Sequence, residues 1–453
     1  MKFSRQNRTL KLRLQRCHSR LVEAIVKIAE TVAQHPTNPF GRPPRAFLVG
    51  GLVRDLALGH YSGLDADMEV YGVQAEILEA MFRPLFPEAT FSTVGKSFGI
   101  LKISLEDGLS LDLALPRTES KEGDGHRGFR IIGDPNLDPE TAARRRDFTI
   151  NSISLDPLTG TLIDPLHGLF DLEEGILRVA DKNTFGDDPL RVLRAVQLVG
   201  RFNLRVENDT FDIIQRMVTS PDFRTLSIER TTDEWKKLFT KALFPSRGLQ
   251  FASDIGLTDF PVVMTTDICV QLAQKEKLSN EERLISMLAL LLVSHTPEEL
   301  STLFQRYLFG SSVEQGVLGV LHGLRAVQVL QDNPNALRQF LRDLLPVRIS
   351  TFFVTALANG TLSHARAHTW RKLIKEHNLQ YQAENTLLRG QDLIDLGLPA
   401  GSQIGLWIVY IETLRDAGKI STREQALQIV TELIKVCPTP PPNTQNESTQ
   451  EKY

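Results

Sequence analysis

Two acids separated by one residue, Asp65 and Asp67, follow a Gly50-Gly51 pair within 16 residues and precede the run Arg144-Arg145-Arg146-Asp147 by about eighty. On an extended segment the side chains at i and i+2 project to the same face, so these two carboxylates can hold Mg2+ ions that in turn grip a triphosphate. The segment FLVGGLVRDLALG places its glycines where a strand turns into a helix, which aims backbone N–H groups and the positive helix end at an anion. Arg54, in the first turn, can lean back toward that anion. Arg145 and Arg146 are suited to bidentate phosphate contacts, and Asp147 stands where it can cap or orient them. The chemistry that these groups describe is nucleotidyl transfer.

Each piece also has a plainer reading. The glycines can serve packing alone, with Arg54 paired to Asp55; i, i+2 acids are common on surfaces; a basic run usually faces water. Their proximity along the chain favours a shared pocket. Asp112, in LSLDLALPR, sits on a strand able to pair beside the Asp65/Asp67 strand, as a third carboxylate that accepts or orients the proton of an attacking hydroxyl, or as an edge-strand acid facing solvent. In DDPLRVLRA, Asp188, Arg191 and Arg194 lie along one helical face, either as exposed ion pairs or as a reader of nucleobases. A carboxylate and a guanidinium side by side accept from the amino group of cytosine or adenine and donate to the adjacent ring nitrogen. Uracil and guanine present a carbonyl there and leave Asp188 facing an acceptor.

The elements that must position these groups are legible in the periodicity. Residues 20–34 carry Leu21, Ile25, Ile28 and Val32 at helical spacing, and the Pro/Asn/Gly-rich stretch from His35 to Pro44 reads as a linker. Ala46–Val49 is a short strand, Leu52–Leu58 a helix ending at Gly59, and Asp67–Tyr71 the continuation of a strand that begins near Leu64. Phe98–Ser104 and Leu109–Leu115 form a hairpin through Glu106-Asp107-Gly108, and Ile150–Leu155 with Thr161–Asp164 a second. Phe148, Ile150 and Ile153 interleave with the arginine motif as a buried strand would. From about Asp187 the pattern turns helical: 188–201, 208–218, 229–243, 281–294, 297–309, 312–331, 334–345, 366–376 and 421–436. No repeat of fixed period is present.

A chain of 453 residues has room for two to four domains, and 42% hydrophobic with 24% charged residues fits a soluble globular protein. No apolar run reaches the roughly 18 residues a membrane span needs. Three scattered cysteines form neither a zinc site nor a disulfide framework, which fits a cytoplasmic setting. The formal net charge of −3 means that a nucleic-acid partner must be held by a local basic surface. One such surface is the acid-free start with Lys2, Arg5, Arg8, Lys11, Arg13, Arg16 and Arg20, readable as a solvated or RNA-contacting arm or as a transit segment. The end, Pro438–Tyr453, has little to bury and reads as disordered. His364 and His368 have zinc-helix spacing, but Ala365 occupies the place of the glutamate in H-E-x-x-H.

Taken in order, LVGGLVRD, LDADMEVYG, ARRRDFTINSI and DDPLRVLRA resemble the signatures of the class II tRNA nucleotidyltransferases and the bacterial poly(A) polymerases, of the polymerase β superfamily. ERTTDEWKKLF looks like the family's neck, and LLRGQDLIDLGLPAGSQIG with GKISTREQAL like its tail, so the resemblance spans roughly residues 40–436. It implies an α+β protein: a basic extension and linker (1–44), a mixed α/β nucleotidyltransferase head (45–180), then an all-α neck (181–250), body (251–380) and tail (381–437), with 438–453 beyond. It implies that Asp65 and Asp67 bind Mg2+, that Gly51, Arg54, Arg146 and Arg194 contact the nucleotide, and that Asp188 and Arg191 read the base. Gly50, Asp147 and Asn151 share those motifs and are counted with the nucleotide-binding set. The stretch Arg117–Phe129 matches the family's mobile loop, whose presence favours full CCA addition. Asp187 stands where the family usually has Glu, and Gln197-Leu198 where it has Arg-Phe, with Arg201-Phe202 one turn on as a replacement. The expected activity is addition of C, C and A to tRNA 3′ ends from CTP and ATP. The alternatives are poly(A), CC-only or A-only addition, and a non-catalytic RNA-binding protein on the same scaffold.

Overall fold

The computed structural model describes residue 10 and residues 13–37, 41–60, 63–94, 100–121, 129–379, 386–399, 401–416 and 418–435. Lys2, Arg5, Arg8 and Lys11, most of the expected mobile loop, and Pro438–Tyr453 lie outside the described residues. The protein is α+β, and its chain divides into two compact units: residues 1–263 with 306–308, and residues 264–305 with 309–453.

The first unit opens with helix α1 (Ser19–Ala33), whose Leu21, Ala24, Ile25, Ile28, Ala29 and Val32 form one buried stripe. Strand β1 (Arg45–Val49), helix α2 (Gly51–Ala57), strand β2 (Asp65–Tyr71) and helix α3 (Ala75–Phe82) follow. Next come β3 (Thr90–Val94), β4 (Ile100–Ser104), β5 (Ser110–Ala114), β6 (Arg117–Lys121), β7 (Phe129–Gly133) and helix α4 (Pro139–Arg144). The short pair β8 (Ser154–Leu155) and β9 (Leu162–Ile163) closes a seven-stranded sheet of order β3-β4-β5-β2-β1-β8-β9, while β6 and β7 form a separate ribbon.

The sheet is mixed because β2 pairs antiparallel with β1 but parallel with β5. On β2, Ala66, Met68 and Val70 point into the apolar core that α1 also fills, so Asp65, Asp67, Glu69 and Tyr71 must share the other face. The β4–β5 hairpin forms as expected, its turn placing Asp107 (φ 60°) and Gly108 (φ 72°) in the left-handed region. Helix α1 belongs to the core of the sheet unit. Arg13 just before it donates to the carbonyls of Leu56 and Ala57 at the end of α2, and Arg20 pairs with Glu106 and Asp107.

One expected strand is corrected. Ile150–Leu155 is strand only at β8, because residues Thr149–Asn151 tighten into a 3-10 turn. Phe148, Ile150 and Ile153 are nonetheless fully buried, so the segment is anchored by its apolar side chains and by a single antiparallel bridge from Phe148 to Val179.

After helix α5 (Gly168–Glu173), strands β10 (Ile176–Leu177) and β11 (Arg205–Val206) pair across helix α6 (Leu190–Phe202). Helices α7 (Asn208–Val218), α8 (Pro221–Arg224), α9 (Ile228–Lys241) and α10 (Pro245–Asp254) complete the unit. Helices α6, α9 and α10 approach closely at Gly200 and Gly248, where an added Cβ would lie 2.5 and 2.6 Å from Leu238 Cδ1. The second unit is helical from Thr266–Lys275 to Arg423–Ile434, with a small core of its own around Leu393, Trp407, Ile411 and Val430 near the C-terminus. Among the described residues no helix is long and apolar enough to cross a membrane.

Candidate functional site: an acid corner and an arginine wall

The site lies entirely within the first unit. Strand alternation puts Asp65 and Asp67 on one face of β2, and the parallel register sets Asp67 directly opposite Asp112 of β5. Asp65 Oδ1 accepts a 2.6 Å hydrogen bond from Ser110 Oγ. Asp112 Oδ1 is buried without a hydrogen-bond partner, 3.8 Å from Lys102 Nζ. The side chain of Asp67 stays accessible at the cleft, yet the protein crowded around it, then Asp112 and Asp65, push its pKa above the ordinary aspartate value; Arg146 and Arg194 pull the other way.

Val49, the last residue of β1, pairs with Asp67, so the glycine turn that follows lies against that carboxylate. Gly50 has φ 70°, and a Cβ there would stand 3.4 Å from Asp67 Oδ2 and 3.5 Å from Arg146 Nη1. One step further, a Cβ on Gly51 would stand 3.5 Å from Arg54 Nη2. The turn, the acids and two arginines thus share one corner.

Across from the acids stands a wall of arginines held by buried carboxylates. Glu69, 2% exposed, accepts from Arg145 Nη2 at 2.6 Å, Arg146 Nη2 at 2.8 Å and Tyr71 Oη at 3.1 Å. Burial alone would raise its pKa, but Arg146 and Arg145 hold it below the usual glutamate value. Asp147 accepts from Arg194 Nε at 2.6 Å, Asn151 Nδ2 at 2.9 Å and the Phe148 amide at 2.8 Å; burial pushes its pKa up, but Arg194, Asn151 and the Phe148 amide together hold it below the usual aspartate value. Asn151 passes the chain on by accepting from Arg54 Nη1 at 2.6 Å. Arg54 also grips Asp55 and lies over the Phe202 ring, where it meets Arg201. Burial, then the neighbouring Arg54 charge, lowers the Arg201 pKa, although Asp55 lies 3.6 Å away.

These walls enclose a cleft of about 440 Å3 lined by eight arginines and two lysines against three acids, a potential suited to a polyanion. Of the residues singled out from sequence, Gly50, Gly51, Arg54, Asp67, Arg146, Asp147, Asn151, Asp188, Arg191 and Arg194 line it. Asp65 and Asp112 are not among its lining residues; Asp112 stands opposite Asp67 on β5, and Asp65 two residues before it on β2. The structure does not put Asp188 and Arg191 side by side. Arg191 spends Nη1 on the Thr184 carbonyl and Nη2 on the Arg145 carbonyl, at 2.9 and 2.7 Å. The guanidinium next to Asp188 is that of Arg230, 3.2 Å away on α9, while Asp188 Oδ1 also caps the Leu190 amide.

Sequence reasoning missed Glu69 and Arg230. The alternation D-x-D-x-E carried the signal for Glu69, since its third acid must share the face of the first two. Arg230 enters only through helix-on-helix packing, which no local pattern reports.

Among the described residues no three or more His, Cys, Asp or Glu side chains converge into a complete metal centre. Two same-face carboxylates form the partial set that phosphate and water oxygens complete for a hard divalent ion. The raised Asp67 pKa, to which Asp112 and Asp65 contribute, is the repulsion such a cation relieves, so the residues fit.

Residues 46–178 match the family model described as the Poly A polymerase head domain. The likeness to that family model is confined to this part of the chain. It is 38% identical over 197 residues to a multifunctional CCA protein of Xylella fastidiosa (strain 9a5c), covering 43% of this chain and 44% of that protein. A multifunctional CCA protein of Vibrio vulnificus (strain YJ016) is 38% identical over 200 residues, or 43% and 46%. The matched stretch therefore spans under half the length of these curated relatives. Two solved structures share the fold at 22% identity. The Bacillus stearothermophilus CCA-adding enzyme in complex with CTP has a TM-score of 0.67, with 93% of this chain and 100% of that one covered. The Thermotoga maritima CCA-adding enzyme complexed with tRNA_CCA has 0.59, with 94% and 98% covered.

Proposed function

We propose that this chain is an enzyme that adds C, C and A to the 3′ end of tRNA from CTP and ATP without a nucleic-acid template, acting in the cytoplasm with Mg2+. The observation that carries the reading is the corner where Gly50, Asp67 and Arg146 meet, with Asp112 opposite Asp67 and a cationic cleft behind. In this reading residues 45–180 are the catalytic head, 181–250 the neck, and 251–380 and 381–437 a body and tail that take the tRNA.

Asp65 and Asp67 would hold the metal, which when bound lowers the pKa of an attacking hydroxyl and neutralises charge on the leaving group. The glycine turn and Arg54 receive the phosphate tail, while Arg146 and Arg194, fixed by Glu69 and Asp147, neutralise it. The tRNA 3′-oxygen forms a bond to the α-phosphorus, the bond from that phosphorus to the β-bridging oxygen breaks, and pyrophosphate leaves. Asp112, whose Oδ1 accepts no hydrogen bond and lies 3.8 Å from Lys102 Nζ, takes or orients the hydroxyl proton. Asp188 accepts from the amino group shared by cytosine and adenine, with Arg230 and Arg191 as the guanidinium groups able to donate to the ring nitrogen.

The head-domain match also favours a second reading, poly(A) synthesis. Incubating the full-length protein with tRNAs lacking one, two or three terminal nucleotides, and with each NTP separately, distinguishes them. The expected result is two C additions, one A addition and then arrest. Unlimited A addition selects the second reading, and no addition of any nucleotide overturns both.

A further inference from the structure

Helix α6 turns a row of side chains toward the cleft at helical spacing: Arg191, Arg194, Gln197 and Arg201. Three are cations and one is a neutral amide. Gln197 is 4% exposed, lines the cleft, and leaves its buried Oε1 without a hydrogen-bond partner among the described residues. A buried amide oxygen left unpaired costs stability, so its retention in a wall otherwise rich in donors needs a reason.

Its place along the helix says which part of a ligand it meets. Asp188 and Arg230 stand at the N-terminal end of α6. Gln197 lies about two and a half turns beyond Asp188, between Arg194 and Arg201. Arg194 is joined through Asp147 and Asn151 to Arg54 at the glycine turn, and Arg201 reaches the same residue through Asp55. Both neighbours thus lead to the phosphate end of the cleft, not to the base end. Rotation of the carboxamide about its last bond exchanges the oxygen for the NH2 group. The amide can therefore present its NH2 group to a phosphate oxygen.

We propose that Gln197 is a neutral contact to the triphosphate tail and to the pyrophosphate that leaves, lowering the grip of an otherwise cationic wall so that the product departs. The inference rests on the nucleotidyl-transfer reading and adds to it the group that sets polyphosphate affinity. A donor without full charge binds a phosphate oxygen more weakly and with less salt dependence than a guanidinium.

Calorimetric titration of the full-length protein with pyrophosphate, and separately with CTP, in Mg2+ buffer tests it. Q197L, which keeps the bulk and removes the donor, is expected to weaken pyrophosphate binding about tenfold, and Q197R to tighten it about tenfold with a steeper salt dependence. Steady-state turnover of Q197R falls as product release slows, and added pyrophosphate inhibits it at lower concentration. Circular dichroism melts identify any variant that fails to fold, and Q197E, which adds a like charge facing the phosphates, supplies a second weakening variant. If the native protein binds both ligands and the folded variants bind pyrophosphate with native affinity, the assignment to Gln197 is overturned. If the native protein binds neither, the nucleotidyl-transfer reading itself fails.

Discussion

Two halves of one strand face carry opposite designs. Asp67 and Glu69 are neighbours on the polar face of β2, yet the protein raises the pKa of the first and lowers that of the second. Glu69 is buried and fully engaged, with two guanidinium groups and a phenol donating to it. Asp67 is accessible and faces Asp112 across the ladder, with Asp65 two residues away. The contrast separates groups that hold the architecture from groups that the fold leaves electrostatically unsatisfied. A carboxylate with its partners in place is a positioning group; carboxylates that face one another are completed by an incoming cation.

Removing the unsatisfied acids has the largest expected effect. D65A or D67A should lower nucleotide incorporation by at least about a thousandfold, the order seen when a group that stabilises transition-state charge is lost. The fold should survive, because neither side chain bonds into the core. Single-turnover assays with labelled CTP measure the loss, and near-native incorporation by either variant would dissolve the distinction between the two ends of β2. E69Q attacks the other end. It keeps the shape but removes the charge that fixes Arg145 and Arg146, so a loss of about 10–100-fold is expected, typical of residues acting through those that touch ligand. The loss should fall on kcat/KM for both CTP and ATP alike, since in the proposed function Arg146 addresses the phosphates and not the base, and it should be accompanied by a lower melting temperature.

The same contrast explains what could be read from the chain alone. Periodicity of two placed Asp65, Asp67 and Asp112 on strands, and periodicity of 3.6 located α6, α7 and α9 to within a residue or two. Those patterns are local, and burial writes them directly into residue order. Two kinds of feature escaped. Short elements such as α4, α5 and β10 have too few residues to show a period, and the 3-10 turn at Thr149–Asn151 buries its apolar residues without any strand register. Partnerships across elements also escaped. Asp188 was expected beside Arg191 because helical spacing allows it, but Arg191 is drawn to two backbone carbonyls and Arg230 arrives from another helix. Long flexible side chains choose among all neighbours in space, and sequence spacing reports only those on the same helix.

The smallest effect sharpens the comparison most, because activity and stability should move in opposite directions. An acid whose folded pKa lies above its unfolded value binds more protons when folded, so the stability it contributes declines as pH rises through the window from the ordinary aspartate value of 3.8 upward. At neutral pH the charged Asp67 therefore works against the fold. D67N removes that charge, and in metal-free buffer its melting temperature should rise by about 1–2 °C, a modest gain because solvent screens so accessible a side chain. Glu69 and Asp147 have the opposite sign: their contribution is complete above the ordinary carboxylate range and disappears as pH falls through their lowered values. Thermal melts of native protein and D67N between pH 4 and 8 should converge toward the acid end, where Asp67 takes up its proton, and separate toward neutrality. Saturating Mg2+ should narrow the gap by stabilising the native protein alone. A D67N variant that is less stable than the native protein at neutral pH would place Asp67 with Glu69 among the groups that hold the fold together.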